Sequence, residues 1–89
     1  MLCVASDKSQ QAVCSRLAKI LRREREKRGL SMNEVAQRAG LSQQMVSYVE
    51  RDMRNPTLET LLRMAAALDG NLAKMIERAQ KEVRISHVR

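Results

Sequence analysis

Residues 34–51 read EVAQRAGLSQQMVSYVER, and this stretch decides the fold. Ser31 followed by Glu34 forms a capping box, which predicts that a helix starts there. Gly40 ends that helix after about two turns, because glycine adopts the left-handed conformation of a helix C-terminus without strain. Ser42 then supplies the N-cap of a second short helix. The stretch therefore predicts two short helices joined by a tight turn.

The composition of residues 32–51 indicates how these two helices meet. Ala36 is small enough for close contact between them, and Gly40 tolerates the positive φ of the turn. Val46 and Val49 provide apolar anchors on the second helix. Two short helices joined in this way by AGLS are typical of a helix-turn-helix motif.

The second helix of this motif presents a polar face. With Val46 and Val49 turned inward, a rotation of about 100° per residue places a set of polar side chains outward. Recognition helices present their N-terminal residues to the major groove, and Gln bonds bidentately to adenine there. The alternative is an ordinary solvated helix face. The candidate base-reading residues are Gln43, Gln44, Ser47 and Tyr48, and Arg51 is a candidate phosphate contact.

Helical periodicity extends along most of the chain and predicts an all-α, compact five-helix bundle. The first helix runs from about Ser9 to Arg28, with an apolar stripe formed by Val13, Cys14, Leu17 and Leu21. Thr57 caps the fourth, with a predicted buried stripe of Leu58, Leu61, Leu62, Ala65 and Leu68. Gly70 ends that helix, and Asn71 caps the fifth, which carries Leu72, Met75, Ile76 and Ala79. We predict a mobile tail at 1–8, one domain at 9–82 and a C-terminal tail at 83–89.

The charge of the chain indicates an anionic partner. Its 89 residues carry a net charge of +7 with an isoelectric point near 10.3. Nucleic acid is the usual partner of such a domain, and an acidic protein or a membrane surface is the competing interpretation. The basic run at 21–28 is more often the solvated face of a helix than a contact patch.

Several classes of protein are disfavoured by the sequence. Cys3 and Cys14 have no neighbouring ligands that would form a metal site or a disulfide framework, which favours a cytoplasmic location. The longest apolar run, at 64–68, is too short to span a membrane, and the N-terminus does not resemble a signal peptide. The lone His87 and the absence of a Gly-rich phosphate loop argue against an enzyme and against a cofactor.

Residues 23–68, REREKRGLSMNEVAQRAGLSQQMVSYVERDMRNPTLETLLRMAAAL, resemble the Cro/Xre helix-turn-helix family, the DNA-binding domain of lambdoid phage repressors. The resemblance extends from about Leu17 to Ile76. The residues that match at the family's spacing are Arg25, Gly29, Leu30, Ala36, Gly40, Leu41, Ser42, Val46, Glu50, Asn55, Pro56, Leu61 and Leu68.

The resemblance implies roles for individual residues. It assigns base reading to the outward residues of the third helix, which are Gln43, Gln44, Ser47 and Tyr48. It assigns phosphate contacts to Arg51, Arg54 and Asn55. It also implies a structural ion pair between Arg25 and Glu50, and Glu50 lies on the inward arc, where a lone carboxylate would be costly.

The chain departs from the family's pattern in three ways. Met32 stands where a phosphate-binding Gln is common, so that this contact is expected to pass to Asn33 or to the helix N-terminus. Asp52 replaces a left-handed Gly and adds a negative charge near the expected phosphates. Ile20 and Glu24 look interchanged, which predicts an exposed Ile20.

These features favour a sequence-specific regulator of transcription that binds double-stranded DNA, either a repressor or a protein like a restriction–modification controller. One recognition helix covers few base pairs, so a homodimer on a palindromic operator is expected. The apolar stripe of the fifth helix, which Val83 and Ile85 would extend, is the predicted dimer interface: Leu72, Met75, Ile76 and Ala79. The alternative function is an antitoxin that regulates its own operon. A protein partner such as RNA polymerase or a toxin stays open.

Overall fold

The computed structural model describes the backbone of residues 7–53 and 56–88, and the side chains of residues 10–53 and 56–84. The described residues form five α-helices and no strand, which confirms the predicted all-α class. Residues 1–6 of the predicted N-terminal tail lie outside the described part. The helices are α1 (Asp7–Lys27), α2 (Met32–Ala39), α3 (Gln43–Glu50), α4 (Leu58–Ala67) and α5 (Leu72–Val88).

All four predicted N-caps form. In each, the side-chain oxygen accepts a hydrogen bond from the backbone N–H three residues later, which satisfies a group that the helix itself leaves unpaired. At Ser31 the capping box is complete, since the Glu34 carboxylate also accepts from the Ser31 N–H at 2.8 Å. The capping distances lie between 3.0 and 3.2 Å for Ser31, Ser42, Thr57 and Asn71.

The two glycines that follow α2 and α4 act in different ways. Gly40 has a φ of +71° and ends α2 as predicted. After α4 the left-handed residue is Asp69, with a φ of +54°, and not Gly70. A Cβ on Gly70 would overlap the terminal methyl group of Met75. A side chain at position 70 would therefore require the end of the Met75 side chain to move.

The core lies where α1 and α5 pack side by side against the helix-turn-helix unit. These two helices share the most extensive interhelical contact and run antiparallel, since Arg16 faces Glu82 and Glu24 faces Arg78, both at N···O distances of 3.5 Å. In the described part of the chain, no helix is long and apolar enough to cross a bilayer. The core residues include Leu17, Ile20, Leu21, Val35, Ala36, Val46, Val49, Met64, Leu68, Leu72, Met75 and Ala79.

The predicted exposure of Ile20 is wrong. This side chain is fully buried. It lies on α1, the helix against which α5 packs, and this packing supplies the cover that the isolated pattern of α1 did not reveal. Glu24 is half-buried beside α5, where it pairs with Arg28 and Arg78, and the hydrogen bond from Arg28 lowers the pKa of its carboxyl group. The interchange of the two residues thus suits the packing of α5.

The predicted buried stripe of α4 is only partly correct. Leu58 is 63% exposed and Leu62 is 52% exposed. Leu61 is half-buried and packs against the core. The buried side of α4 is formed by Met64, Ala65, Ala67 and Leu68.

The apolar stripe of α5 belongs to the interior of the single chain. Leu72, Met75 and Ala79 are buried in its core, and Ile76 packs against that core. These four residues of the predicted dimer interface therefore pack within the chain and are not spare apolar surface for a dimer. The helix also continues to Val88, so residues 83–88 of the predicted C-terminal tail, which the sequence left open as frayed helix or an extended arm, are helical.

We expect Ile20→Ala to reduce the free energy of unfolding by about 2–5 kcal/mol, because it leaves a cavity in the α1–α5 contact. Lys19→Ala on the exposed face of the same helix is the matched control, and its effect should stay within about 0.5 kcal/mol. Urea denaturation measures both. Equal effects of the two substitutions would contradict the packing of Ile20.

Candidate nucleic-acid interface

The side chains of Arg25 and Glu50 form a bidentate ion pair. Arg25 Nε donates to Glu50 Oε2 at 2.7 Å, and Arg25 Nη2 donates to Glu50 Oε1 at 3.1 Å. Only 11% of the Arg25 side chain and 1% of the Glu50 side chain are exposed. The hydrogen bond to Glu50 raises the pKa of Arg25. The pair implied by the family resemblance is thus present and buried.

This ion pair joins three parts of the chain. A third hydrogen bond runs from Arg25 Nη1 to the backbone carbonyl of Leu30 at 2.8 Å. Arg25 therefore connects the end of α1 and the turn before α2 to Glu50, the last residue of α3. With Val46 and Val49 also buried, the orientation of α3 against the core is fixed.

The opposite face of α3 is open to solvent. Gln43 and Gln44 are exposed, whereas Ser47 and Tyr48 are half-buried. Arg51 follows the helix and is exposed. The first turn of α3 contains no acidic side chain that would repel a phosphate. The structure thus brings the candidate base-reading residues together on one accessible face.

Two hydrogen bonds order this face, and neither was predicted from the sequence. Gln44 Nε2 donates to the Tyr48 hydroxyl at 2.6 Å, and Arg51 Nη1 donates to the Ser47 hydroxyl at 3.3 Å. Each bond joins residues four positions apart, a spacing at which helix side chains are neighbours. The four-residue spacing of these pairs was the feature of the sequence from which both bonds could have been predicted. The side-chain amide of Gln44 has two N–H groups. One of them donates to Tyr48, and the second points in a different direction.

The candidate phosphate contacts lie at the ends of the motif. Met32, which departs from the family's Gln, packs against the core and takes no polar role. Asn33 beside it is exposed, as it must be if it makes the phosphate contact in place of that Gln. Arg51 is exposed at the end of α3, whereas Arg54 and Asn55 lie outside the described residues.

Asp52 adopts the left-handed conformation expected where the family has Gly, with a φ of +56°. Its carboxylate accepts a hydrogen bond from the Ser15 hydroxyl of α1. The negative charge is therefore held toward α1.

A family model of the helix-turn-helix matches residues 21–75, which include the Arg25–Glu50 pair and all of α2, α3 and α4. The chain belongs to the Cro/C1-type helix-turn-helix family. This family and the proteins similar to this chain are DNA-binding transcription regulators. This finding confirms the prediction that the chain is not an enzyme.

This helix-turn-helix chain is similar to proteins from several bacteria. Over 44 residues it is 50% identical to an uncharacterised helix-turn-helix-type transcriptional regulator, y4dJ, of Sinorhizobium fredii. That match covers 49% of this chain and 57% of the regulator, so it spans little more than half of the relative.

Solved structures share the fold. The restriction–modification controller protein C.AhdI of Aeromonas hydrophila is 33% identical with a TM-score of 0.65, over 71% of this chain and 94% of that one. The DNA-binding domain of SinR from Bacillus subtilis is 25% identical with a TM-score of 0.65, over 70% and 91% of the two chains.

We expect Arg25→Ala to reduce the free energy of unfolding by about 3–5 kcal/mol, because it leaves the Glu50 carboxylate buried without a partner. The double variant Arg25→Met, Glu50→Leu removes both charges and should lose less than the single variant. Chemical denaturation of both proteins tests this. A single variant as stable as the unaltered protein would show that the pair is dispensable.

Proposed function

We propose that this chain is a sequence-specific transcriptional regulator that binds double-stranded DNA as a homodimer on a palindromic operator in the cytoplasm. The observation that carries the proposal is the outward face of α3. It presents Gln43 and Gln44, both exposed, at the start of a recognition helix that the Arg25–Glu50 pair holds in a fixed orientation. This arrangement suits insertion of the N-terminal end of α3 into the major groove.

Gln44 is the proposed reader of an adenine. A glutamine side chain pairs with adenine by accepting from the N6 amino group and donating to N7. One amide N–H of Gln44 already donates to Tyr48 at 2.6 Å, which leaves the second N–H and the carbonyl oxygen for the base. In this proposal Tyr48 is a positioning residue that sets the plane of the Gln44 amide.

Phosphate contacts supply the remaining affinity in this proposal. Asn33 and Arg51 are exposed at the two ends of the motif, and the family resemblance adds Arg54 and Asn55. The net charge of +7 supports attraction to the DNA backbone.

A regulator of the restriction–modification controller type is the narrower proposal. The chain matches C.AhdI along 94% of that controller at 33% identity. This similarity favours a controller over an antitoxin. No contact of the described residues supports the antitoxin alternative.

Selection of bound sequences from a random pool of double-stranded DNA tests the function. We expect one enriched motif with two inverted half-sites, since a two-fold dimer reads the same sequence twice. A pool that shows no enrichment, while the protein still binds DNA in low salt, would contradict sequence-specific regulation.

We expect Gln44→Ala to weaken binding to the selected sequence by about 1–3 kcal/mol per contact and to relax the preference at one base pair per half-site. The control is Arg51→Ala, which should weaken selected and random DNA alike and reduce the dependence on salt. Fluorescence anisotropy on both DNAs measures this. The same loss of discrimination in both variants would contradict the assigned roles.

Tyr48→Phe removes the hydroxyl that orients Gln44 and keeps the aromatic ring. Replacing the adenine read by Gln44 with 7-deazaadenine removes the N7 acceptor, and for the unaltered protein we expect an affinity loss of about tenfold. For Tyr48→Phe that loss should be smaller, because the amide is no longer aligned. A loss of the same size in both proteins would contradict the positioning role of Tyr48.

A further inference from the structure

The outer side of α4 carries an apolar stripe that the described residues leave uncovered. Leu58, Leu62 and Ala66 are all exposed, and their spacing of four residues stacks them along one side of the helix. We call these three residues the α4 stripe. Met53, 56% exposed, lies in the segment that leads into the same helix. Met53, Leu58 and Leu62 are the exposed large hydrophobic residues of the described chain.

The charges beside this stripe have a pattern that favours a copy of the same chain. Glu59 and Arg63 stand four residues apart and pair at 2.9 Å, with 74% of the Glu59 side chain and 48% of the Arg63 side chain exposed. Arg63 Nη1 also donates to the Ala39 carbonyl at 3.4 Å. If two copies of α4 packed antiparallel about a two-fold axis between these residues, Glu59 of each copy would face Arg63 of the other. An interface between identical surfaces requires this kind of self-complementarity.

The balance of charge also favours contact through α4. The chain as a whole has a net charge of +7, so two copies repel each other across most surfaces. On α4 the one Glu and the one Arg cancel. The apolar side of α5, in contrast, is already buried inside the chain.

We propose that the α4 stripe is the surface through which two copies of this chain associate. Association in solution does not depend on the proposed function. Only the DNA-binding experiment below rests on it, because there the contact between the two α4 helices fixes the separation of the two recognition helices. A weak dimer is expected in solution. Together with Met53, the two leucines of the stripe offer roughly 300 Å² of apolar surface, well below the ~800 Å² per partner of a standard stable interface.

DNA compensates for this weakness. Two copies that bind adjacent half-sites are held at a high effective concentration, so a contact that is weak in solution gives cooperative binding. The inference therefore predicts monomers at low concentration, dimers at high concentration, and cooperativity on two half-sites.

The first test is sedimentation velocity over a wide range of protein concentration. The unaltered protein should shift from monomer to dimer, and Leu62→Glu should stay monomeric throughout. The matched control is Gln80→Glu, which adds the same charge at an exposed position of α5 and should dimerise normally. Circular dichroism and thermal melting establish that both variants fold. Identical sedimentation of the two variants, or an unaltered protein that is monomeric at every concentration, would overturn the inference.

A charge-reversal pair tests the two-fold geometry. Glu59→Arg and Arg63→Glu should each abolish self-association, because each places like charges opposite each other, whereas an equimolar mixture of the two variants should form a heterodimer. Failure of the mixture to associate would overturn the proposed arrangement. None of these solution measurements requires DNA, so they stand even if the selection experiment yields no operator.

The DNA-binding experiment compares a selected site with a single half-site. Leu62→Glu should bind the half-site as the unaltered protein does, but its affinity for the full site should fall by about 100-fold. Full-site affinity equal to that of Gln80→Glu would overturn the role of the α4 stripe on DNA.

Discussion

The orientation of α3 depends on one buried ion pair. The carboxylate of Glu50 is almost wholly removed from water, and it is tolerable there because Arg25 binds it through two hydrogen bonds. The same guanidinium binds the Leu30 carbonyl, so the end of α1 and the following turn are tied to the end of α3. Any relaxation of this contact would turn the polar face of α3 relative to the rest of the domain.

Such a constraint matters because α3 is only eight residues long. A helix of this length has little stability of its own in water, so its packing and its caps must hold it in place. Val46 and Val49 anchor the inner face, and Ser42 caps the N-terminus. On the outer face, a hydrogen bond to Tyr48 restrains Gln44, the proposed base-reading residue. Restraint of this kind lowers the conformational entropy that binding would otherwise cost.

Local chemistry made much of this fold predictable from the sequence. The caps at Ser31, Ser42 and Thr57 depend on a side chain and a backbone group three residues away, and each formed where the sequence placed it. The inward position of Glu50 likewise followed from helical rotation. Burial by a distant helix was harder to predict, because a period of 3.6 residues reveals an apolar stripe without showing which element covers it. Ile20 is covered through the packing of α5 on α1, whereas two apolar stripes compete on α4 and only one of them faces the core.

This competition on α4 connects the fold to assembly. Met64 and Leu68 fill the interior, so Leu58 and Leu62 cannot also turn inward without removing them. Meanwhile Met75 and Ala79 hold α5 in the core, and using them for a dimer would require α5 to leave α1. Exposing that buried surface would cost more than a small interface returns. A dimer of the intact fold must therefore use a surface other than the apolar side of α5, and α4 combines exposed leucines with charges that cancel.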